Sequence, residues 1–459
     1  MSPETGPLAP FGEADQFVIS AIRDFFAQKP IVVGGTPYPV EIVKRDSQSD
    51  SKTAADAASD LIQSGGIHLM LVSSTPDTSN PVSDQCEAAG MPCISTVTPW
   101  QPWFFGRGGK PGSKFTWTYN FFWGLEDVED VYADMWDTVP TNKVAGAIWP
   151  NDPDGLAWGD PATGFAPAVA KRGYQIIDPG KYPNGTQDFS AQISAFKQGN
   201  AEILLGVPIP PDFTTFWKQA AQQGFRPKIA TIGKALLFPS SVEALGDIGV
   251  NLGTEVWWSP SHPFTSSLTG QTAKQLADAY TASTKKQWTQ PIGFAHALFE
   301  VAAKAFGSVQ KIDDKQGLAT ALSTMKIDTI VGPLDWTKGP VPNVAKTPLV
   351  GGQWRKGTLR VQPDSIYSVQ WSAFMIFMVV IGGLGTIEGP IVGAIVFFVL
   401  QQVLEPFGVW YLVALAVVAI AAALYARRGL WGVLTGGRDV RLLSTGYQVR
   451  HHAPETRAL

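Results

Sequence analysis

Between Trp371 and Tyr425 the chain runs almost without charge. Three apolar runs occupy that stretch, Trp371–Leu384, Pro390–Leu404 and Phe407–Tyr425, with Glu388 and Glu405 in the turns between them. A helix packed on one side of a water-exposed domain alternates apolar with charged residues, because only one face is buried. Helices apolar all round suit lipid or the inside of a helix bundle. The runs are short, about 14 to 19 residues, and reach the roughly 20 of a full span only with flanking residues such as 365–370. The expectation is an all-α transmembrane segment of about three helices over 361–434, with a buried hairpin of a soluble domain as the alternative. Arg427, Arg428, Arg438 and Arg441 follow the third run. Positive residues beside a span favour the cytoplasmic side. Three spans therefore place residues 435–459 inside as a basic tail and everything before Ser365 outside.

Between the first two runs stand Gly382, Gly383, Gly385, Glu388 and Gly389, followed by Pro390 and Gly393. So many glycines and a proline break one continuous helix and let backbones approach closely. No Gly-Lys-Ser or Gly-Lys-Thr follows, so this is not a nucleotide loop.

The preceding 360 residues read differently. A chain of 459 residues accommodates two or three domains. Its net charge of -4 gives no basic surface for nucleic acid. Two cysteines, Cys86 and Cys93, are too few for a disulfide framework or a zinc site; buried thiols are favoured over a single bridge. Apolar stripes predict helices at Asp15–Gln28, Thr53–Ser64, Ala162–Arg172, Phe189–Gln198 and Phe213–Gln223, with Asp212 capping the last. Between them the reading places strands at Glu41–Val43, His68–Val72, Lys143–Trp149, Tyr174–Ile177, Glu202–Leu205 and Lys228–Ile232. This alternation predicts an α/β fold with parallel sheets, in more units than one doubly wound domain holds, hence two lobes.

Ligands of such sheets bind at the carboxyl ends of the strands. The loops there carry Thr75, Asp77, Thr78, Thr98, Trp100, Asp154, Asp212 and Lys234. A cleft with hydroxyls, an aromatic and a few charges suits a small polar solute; each residue taken singly is equally a cap or a solvated turn. The acidic loop 151–155 fails as a calcium site, because Pro150 stands at the first ligand position. No nucleophile elbow or zinc helix appears, so no enzyme, metal or cofactor is expected.

Two resemblances sharpen this. The run GGLGTIEGPIVGA at 382–394 and ARRGLWGVL at 426–434 resemble the C-terminal end of the inner-membrane permease of branched-chain amino acid ABC transporters. The resemblance implies that Gly382, Gly383, Gly385, Glu388 and Gly389 form a cytoplasmic loop coupling to the ATPase subunit. Residues 5–360 resemble the solute-binding proteins of the same transporters, through TGPLAPFGEADQF at 5–17, ISTVTP at 94–99, DFSAQISAFK at 188–197, VGPLDW at 331–336 and GGQWRKG at 351–357. That implies a leucine-binding-like, two-lobed clamp over 1–360, with crossovers near 119, 256 and 333. One lobe is then about 1–119 plus 257–333, the other 120–256 plus 334–360. It also implies that Phe11 contacts the ligand and that the Thr75–Ser79 loop and Thr98 hold its carboxylate. Asp154 falls where the family has a tyrosine, and Lys234 near the acid that pairs the ligand ammonium. Asp154 or Asp212 would have to replace that acid. A carboxylate, an amide or an aromatic acid stacked on Trp100 is therefore expected over an α-amino acid.

The expected function is a membrane-tethered solute-binding component of an ABC-type importer. Its partners would be the solute, membrane lipid, and permease and ATPase subunits. A sensing receptor built on the same clamp, or a non-functional fusion remnant, is the alternative. Residues 1–7 carry neither the positive nor the apolar part of an export signal, and the fold wants a central strand ahead of Asp15. A signal and an apolar strand in frame upstream of Met1 are expected.

Overall fold

In this computed structural model the chain divides into two compact units, 1–362 and 363–459. The residues described are 1–355, 357–361, 378–383, 388–404 and 429–435.

The first unit is built on two sheets. One has the order Val344–Ala345, Thr118–Phe121, Cys93–Thr96, Met70–Ser73, all parallel. The other runs Thr358–Val361, Val350–Arg355, Gly253–Val256, Ile229–Ile232, Ile203–Gly206, Val144–Ile148, Gln175–Ile177. Its last five strands are parallel and its first two antiparallel. The inner strands Cys93–Thr96, Thr118–Phe121, Ile203–Gly206 and Gly253–Val256 are buried at every residue, as strands covered by helices on both faces must be.

Helices form where the sequence pattern asks for them. Asp15–Gln28 buries Val18, Ile19, Ile22 and Phe26 and packs on Pro291–Phe306, a helix buried on nearly all sides. Asp50 caps Ser51–Ser64 by accepting the Thr53 N–H at 2.7 Å, and Gly66 leaves it at φ +59, the left-handed exit that glycine permits. Cys86 and Cys93 are free and buried.

The structure corrects three local expectations. The last helix of the expected set begins at Pro210 with Ile209 as its cap, so Asp212 sits in the first turn instead of capping it. Glu41–Val43 joins no ladder. The third passage between sheets also lies later than 333. Lys326–Thr329 and Gly332–Asp335 form an antiparallel hairpin, and Val344–Ala345 pairs with Thr118–Phe121 in the first sheet. The chain crosses between 345 and 350 (Val350–Arg355 pairs with Gly253–Val256). Asn343, at φ +71, fixes that late return. Its Nδ2 donates to the Phe115 and Thr118 carbonyls at 2.9 and 3.0 Å, and its Oδ1 accepts the Phe115 N–H at 3.0 Å.

In the second unit a short helix at 378–382 and the helix Glu388–Leu404 meet through glycine. A Cβ on Gly382 would lie 1.8 Å from the Gly389 carbonyl oxygen, and one on Gly393 1.8 Å from that of Met378. The backbones therefore touch at Gly382, Gly389 and Gly393, the close approach that the glycine-rich sequence allows. Glu388–Leu404 has 17 residues. Among the described residues no helix is long and apolar enough to cross a membrane. The run Phe407–Tyr425, most of Trp371–Leu384, Gly385 and the tail 436–459 lie outside the described residues.

Replacing Asn343 by alanine leaves two partly buried backbone groups at Phe115 and the buried Thr118 carbonyl without their side-chain partner. We expect it to lower the stability of the first unit by about 2–4 kcal/mol, read from the urea midpoint. An unchanged midpoint would mean that the late crossing does not depend on this clamp.

Candidate functional site

Four strands of the two sheets deliver their C-terminal loops to one place. Met70–Ser73 leads into Thr75, which opens the helix Pro76–Ala89. Cys93–Thr96 leads into Val97, at φ +66, where a β-branched residue is strained. Val144–Ile148 leads into Asp152 and the short helix Pro153–Trp158. Ile229–Ile232 leads into Lys234, at φ +54 and ψ -66. Strained non-glycine backbone persists where surrounding contacts over-determine it, and such positions cluster at binding sites. Both strained residues line the same cavity.

Lys234 is 4% exposed. Its Nζ lies 2.8 Å from Asp152 Oδ2, 2.7 Å from Asp154 Oδ2 and 3.8 Å from Asp77 Oδ2. Asp152 also caps its own helix through the Gly155 N–H at 2.8 Å. Asp77 belongs to the first lobe and the other three residues to the second, so the ammonium bridges the lobes. Burial opposes its charge, but Asp152, Asp154 and Asp77 outweigh that and hold Lys234 above the ordinary lysine range. Burial pushes the Asp154 carboxyl up to about 7, against the pull of Lys234. Asp77 is also raised by burial. Asp154 Oδ1 is buried with no hydrogen-bond partner.

The cavity beside this cluster is walled by Phe11, Val97, Pro99, Phe122, Trp123, Trp158, Val207, Leu237 and Trp257. Thr75, Asp154, Lys234 and Glu255 complete it. Glu255 accepts from the Tyr132 hydroxyl and, at 3.0 Å, from Thr254 Oγ1; burial pushes it up to about 7. The Nε1 atoms of Trp123, Trp158 and Trp257 are buried and unpaired. An indole N–H in such a place ordinarily finds an acceptor. Trp158 stacks on Phe165 at 5.0 Å, and Phe11 meets Phe238 edge-on at 4.8 Å across the lobes. A Cβ on Gly233 would come within 2.8 Å of Trp158 and 3.3 Å of Glu255 Oε1, so this position keeps the wall open. The space left measures about 20 Å³, room for about one water. A larger solute therefore needs the lobes to part.

Of the residues singled out in the sequence, Phe11, Thr75, Asp154 and Lys234 meet at this cavity, and Asp77 reaches it through Lys234. Thr78 and Thr98 turn inward: Thr78 Oγ1 donates to Ser74 Oγ at 2.5 Å and Thr98 Oγ1 to the Ser74 carbonyl at 2.6 Å. They fix the loop instead of lining the cavity. Trp100 donates its N–H to Glu126 at 3.1 Å and offers no stacking face here. Asp212 holds the Gly185 N–H at 3.0 Å; burial pushes it up to about 6. Lys234 is not the bare cation that would repel an ammonium, because two carboxylates contact it. Sequence reasoning missed Trp123, Trp158, Glu255 and Trp257. For Trp123 and Trp257 the signal is the aromatic runs Phe121-Phe122-Trp123 and Trp257-Trp258, which stand at the first two crossings between sheets.

Residues 1–358 match the family model described as periplasmic binding protein. A search of curated proteins finds no match. Among solved structures, the chain is similar to a leucine-binding protein from Thermotoga maritima, with a TM-score of 0.64 at 19% identity over 79% of this chain and 96% of that one. A branched-chain amino acid transporter substrate-binding protein from Streptococcus pneumoniae, in complex with isoleucine, gives 0.62 at 15% over 79% and 97%. An ABC transporter solute-binding protein from R. palustris, in complex with 4-hydroxybenzoate, gives 0.62 at 16% over 79% and 94%. At these identities the likeness is one of fold.

Two expectations follow. Lys234→Met leaves Asp152 and Asp154 buried without their cation and should cost about 3–5 kcal/mol; adding Asp152→Asn and Asp154→Asn should recover most of it in urea unfolding. Asp154 and Glu255 are raised in the folded state, so their stabilising contribution is complete below about pH 4 and lost as pH climbs towards 7. Asp154→Asn should flatten the stability profile between pH 4 and 7. A profile identical to that of the parent chain would contradict the assignment.

Proposed function

The chain belongs to the periplasmic binding protein family, and from that premise we propose that its first unit is the solute-binding component of an ABC-type importer. In this reading the lobes hinge at the three passages between the sheets and capture a small molecule at the Lys234 cluster. The second unit tethers the clamp to the membrane. Support for the tether comes from the apolar runs and the arginines after them, and it places residues 1–360 on the extracytoplasmic side.

The solute is a small hydroxylated aromatic. The observation that carries this is the wall itself: aromatic and aliphatic faces, three unpaired indole N–H donors and one unpaired carboxylate oxygen. A flat ring fills space between aromatic walls. Its oxygens accept from Trp123, Trp158 and Trp257, and a hydroxyl donates to Asp154 Oδ1. The R. palustris structure with 4-hydroxybenzoate has the same fold and supplies the probe. A branched-chain amino acid is the second reading, favoured by the same Asp154 oxygen, which suits an ammonium equally well.

Titration calorimetry of the full chain with 4-hydroxybenzoate, leucine and isoleucine separates them. We expect micromolar or tighter binding of 4-hydroxybenzoate, weakened at least tenfold by Trp158→Ala, and no heat from the amino acids. Tight leucine or isoleucine binding with none of the aromatic would establish the second reading. Protease added to intact cells should cleave within 1–360 if the clamp faces outward.

A further inference from the structure

Among the described residues, one carboxyl of the cavity wall has no cation as partner. Glu255 lies in the buried strand Gly253–Val256 and lines the cavity. Gln290 fixes it there: its Nε2 donates to the Glu255 carbonyl at 3.1 Å, and its Oε1 accepts the Trp257 N–H at 2.8 Å. Lys234 meets the Glu255 carboxyl through its backbone, while its ammonium is taken by Asp152 and Asp154.

The two oxygens of this carboxyl have different surroundings. Oε2 accepts from both the Tyr132 hydroxyl and Thr254 Oγ1. Oε1 lies on the side of Gly233 and Trp158, since a Cβ on Gly233 would come within 3.3 Å of Oε1 and 2.8 Å of the Trp158 ring. An acid proton therefore belongs on Oε1, on the side of a tryptophan whose indole N–H is itself unpaired. Burial favours that proton and pushes the carboxyl up to about 7, against the hydrogen bonds that favour ionisation.

Charge decides what this wall can receive. Asp77, Asp152, Asp154 and Glu255 stand at the site with the single ammonium of Lys234. With Asp154 and Glu255 both ionised, a carboxylate entering so dry a space meets like charge and no free cation. A carboxylic acid on the wall reverses the sign, because its O–H donates to an oxyanion in a charge-assisted hydrogen bond. A buried acid kept neutral so that it can donate is an established device of such sites.

On the reading that the solute is a hydroxylated aromatic, we propose that Glu255 admits a carboxylate on the ring. It carries a proton on Oε1 and donates a hydrogen bond through it to the solute carboxylate, so that each capture takes up one proton from water. The ring hydroxyl goes to Asp154, and the indole N–H groups take the remaining solute oxygens. The solute class narrows to hydroxybenzoates, each entering with the proton that neutralises its charge.

Calorimetric titration of the full chain with 4-hydroxybenzoate, in two buffers of different ionisation enthalpy, counts the protons. At about pH 8 the uptake should be close to one per solute, and Kd should rise about tenfold per pH unit above about pH 7 and stay level below it. Glu255→Gln, whose amide donates without titrating, should bind with almost no uptake and a Kd that no longer follows pH. The neutral 4-hydroxybenzyl alcohol, which can donate to an ionised Glu255, should bind without uptake. Binding of 4-hydroxybenzoate with no proton taken up, or the same uptake in Glu255→Gln, overturns the assignment and leaves the solute class standing. No heat from either compound sinks the assignment together with the reading beneath it. Should the glutamine variant fail to fold, the two-buffer count on the parent chain decides.

Discussion

A single buried ammonium organises the cleft. Lys234 draws Asp152 and Asp154 from one loop and Asp77 from the other lobe into one cluster. Its strained backbone is held there by those contacts. Breaking a buried ion pair costs far more than an exposed one, because the remaining charge keeps its desolvation penalty. The cluster therefore fixes the strand-end loops and also decides what can enter. Three carboxylates around one ammonium leave the site acid-rich, so a ligand carboxylate has no place beside Asp154 while that group is ionised. In the proposed reading the acceptor end of a solute falls to the indole N–H groups, and the donor end to Asp154.

That division explains why the site reads as both polar and aromatic. Each polar group has a local reason to be where it is: a cap for Asp152, a strand-end turn for Lys234. The aromatic wall has a different origin, in the chain segments that pass between the lobes. Phe122 packs edge-on against Trp257 at 5.1 Å, so two passages meet at the cavity and carry Trp123 and Trp257 there, while Trp158 comes from the short helix Pro153–Trp158. A change in lobe angle would alter the wall as well as the opening.

Much of this was legible in the sequence. Alternating helices and strands gave the α/β architecture, and the rule that ligands meet strand ends found Thr75, Asp154 and Lys234. The misses have physical causes. Trp123 and Trp257 look like core residues in any pattern, because only the meeting of two crossings makes them a wall, and Trp158 joins them from the short helix Pro153–Trp158. Trp100 and Asp212 look free in sequence, yet each has a partner distant in the chain, Glu126 and Gly185. The crossing expected near 333 was misplaced because the hairpin 326–335 carries strand-like residues but pairs with itself. In the second unit, the glycine pattern did announce the close approach of Gly382 to Gly389.

In the proposed reading the three partnerless indole N–H groups of the cleft donate to solute oxygens. Nitrogen-15 spectra of the tryptophan side chains during addition of 4-hydroxybenzoate address it directly. Trp136 and Trp354 already donate to Thr231 and to the Leu236 carbonyl and serve as internal references. The account predicts that the Trp123, Trp158 and Trp257 indole signals move downfield together while those two stay. Three unmoved cleft signals at saturating solute, or movement confined to the references, would contradict it.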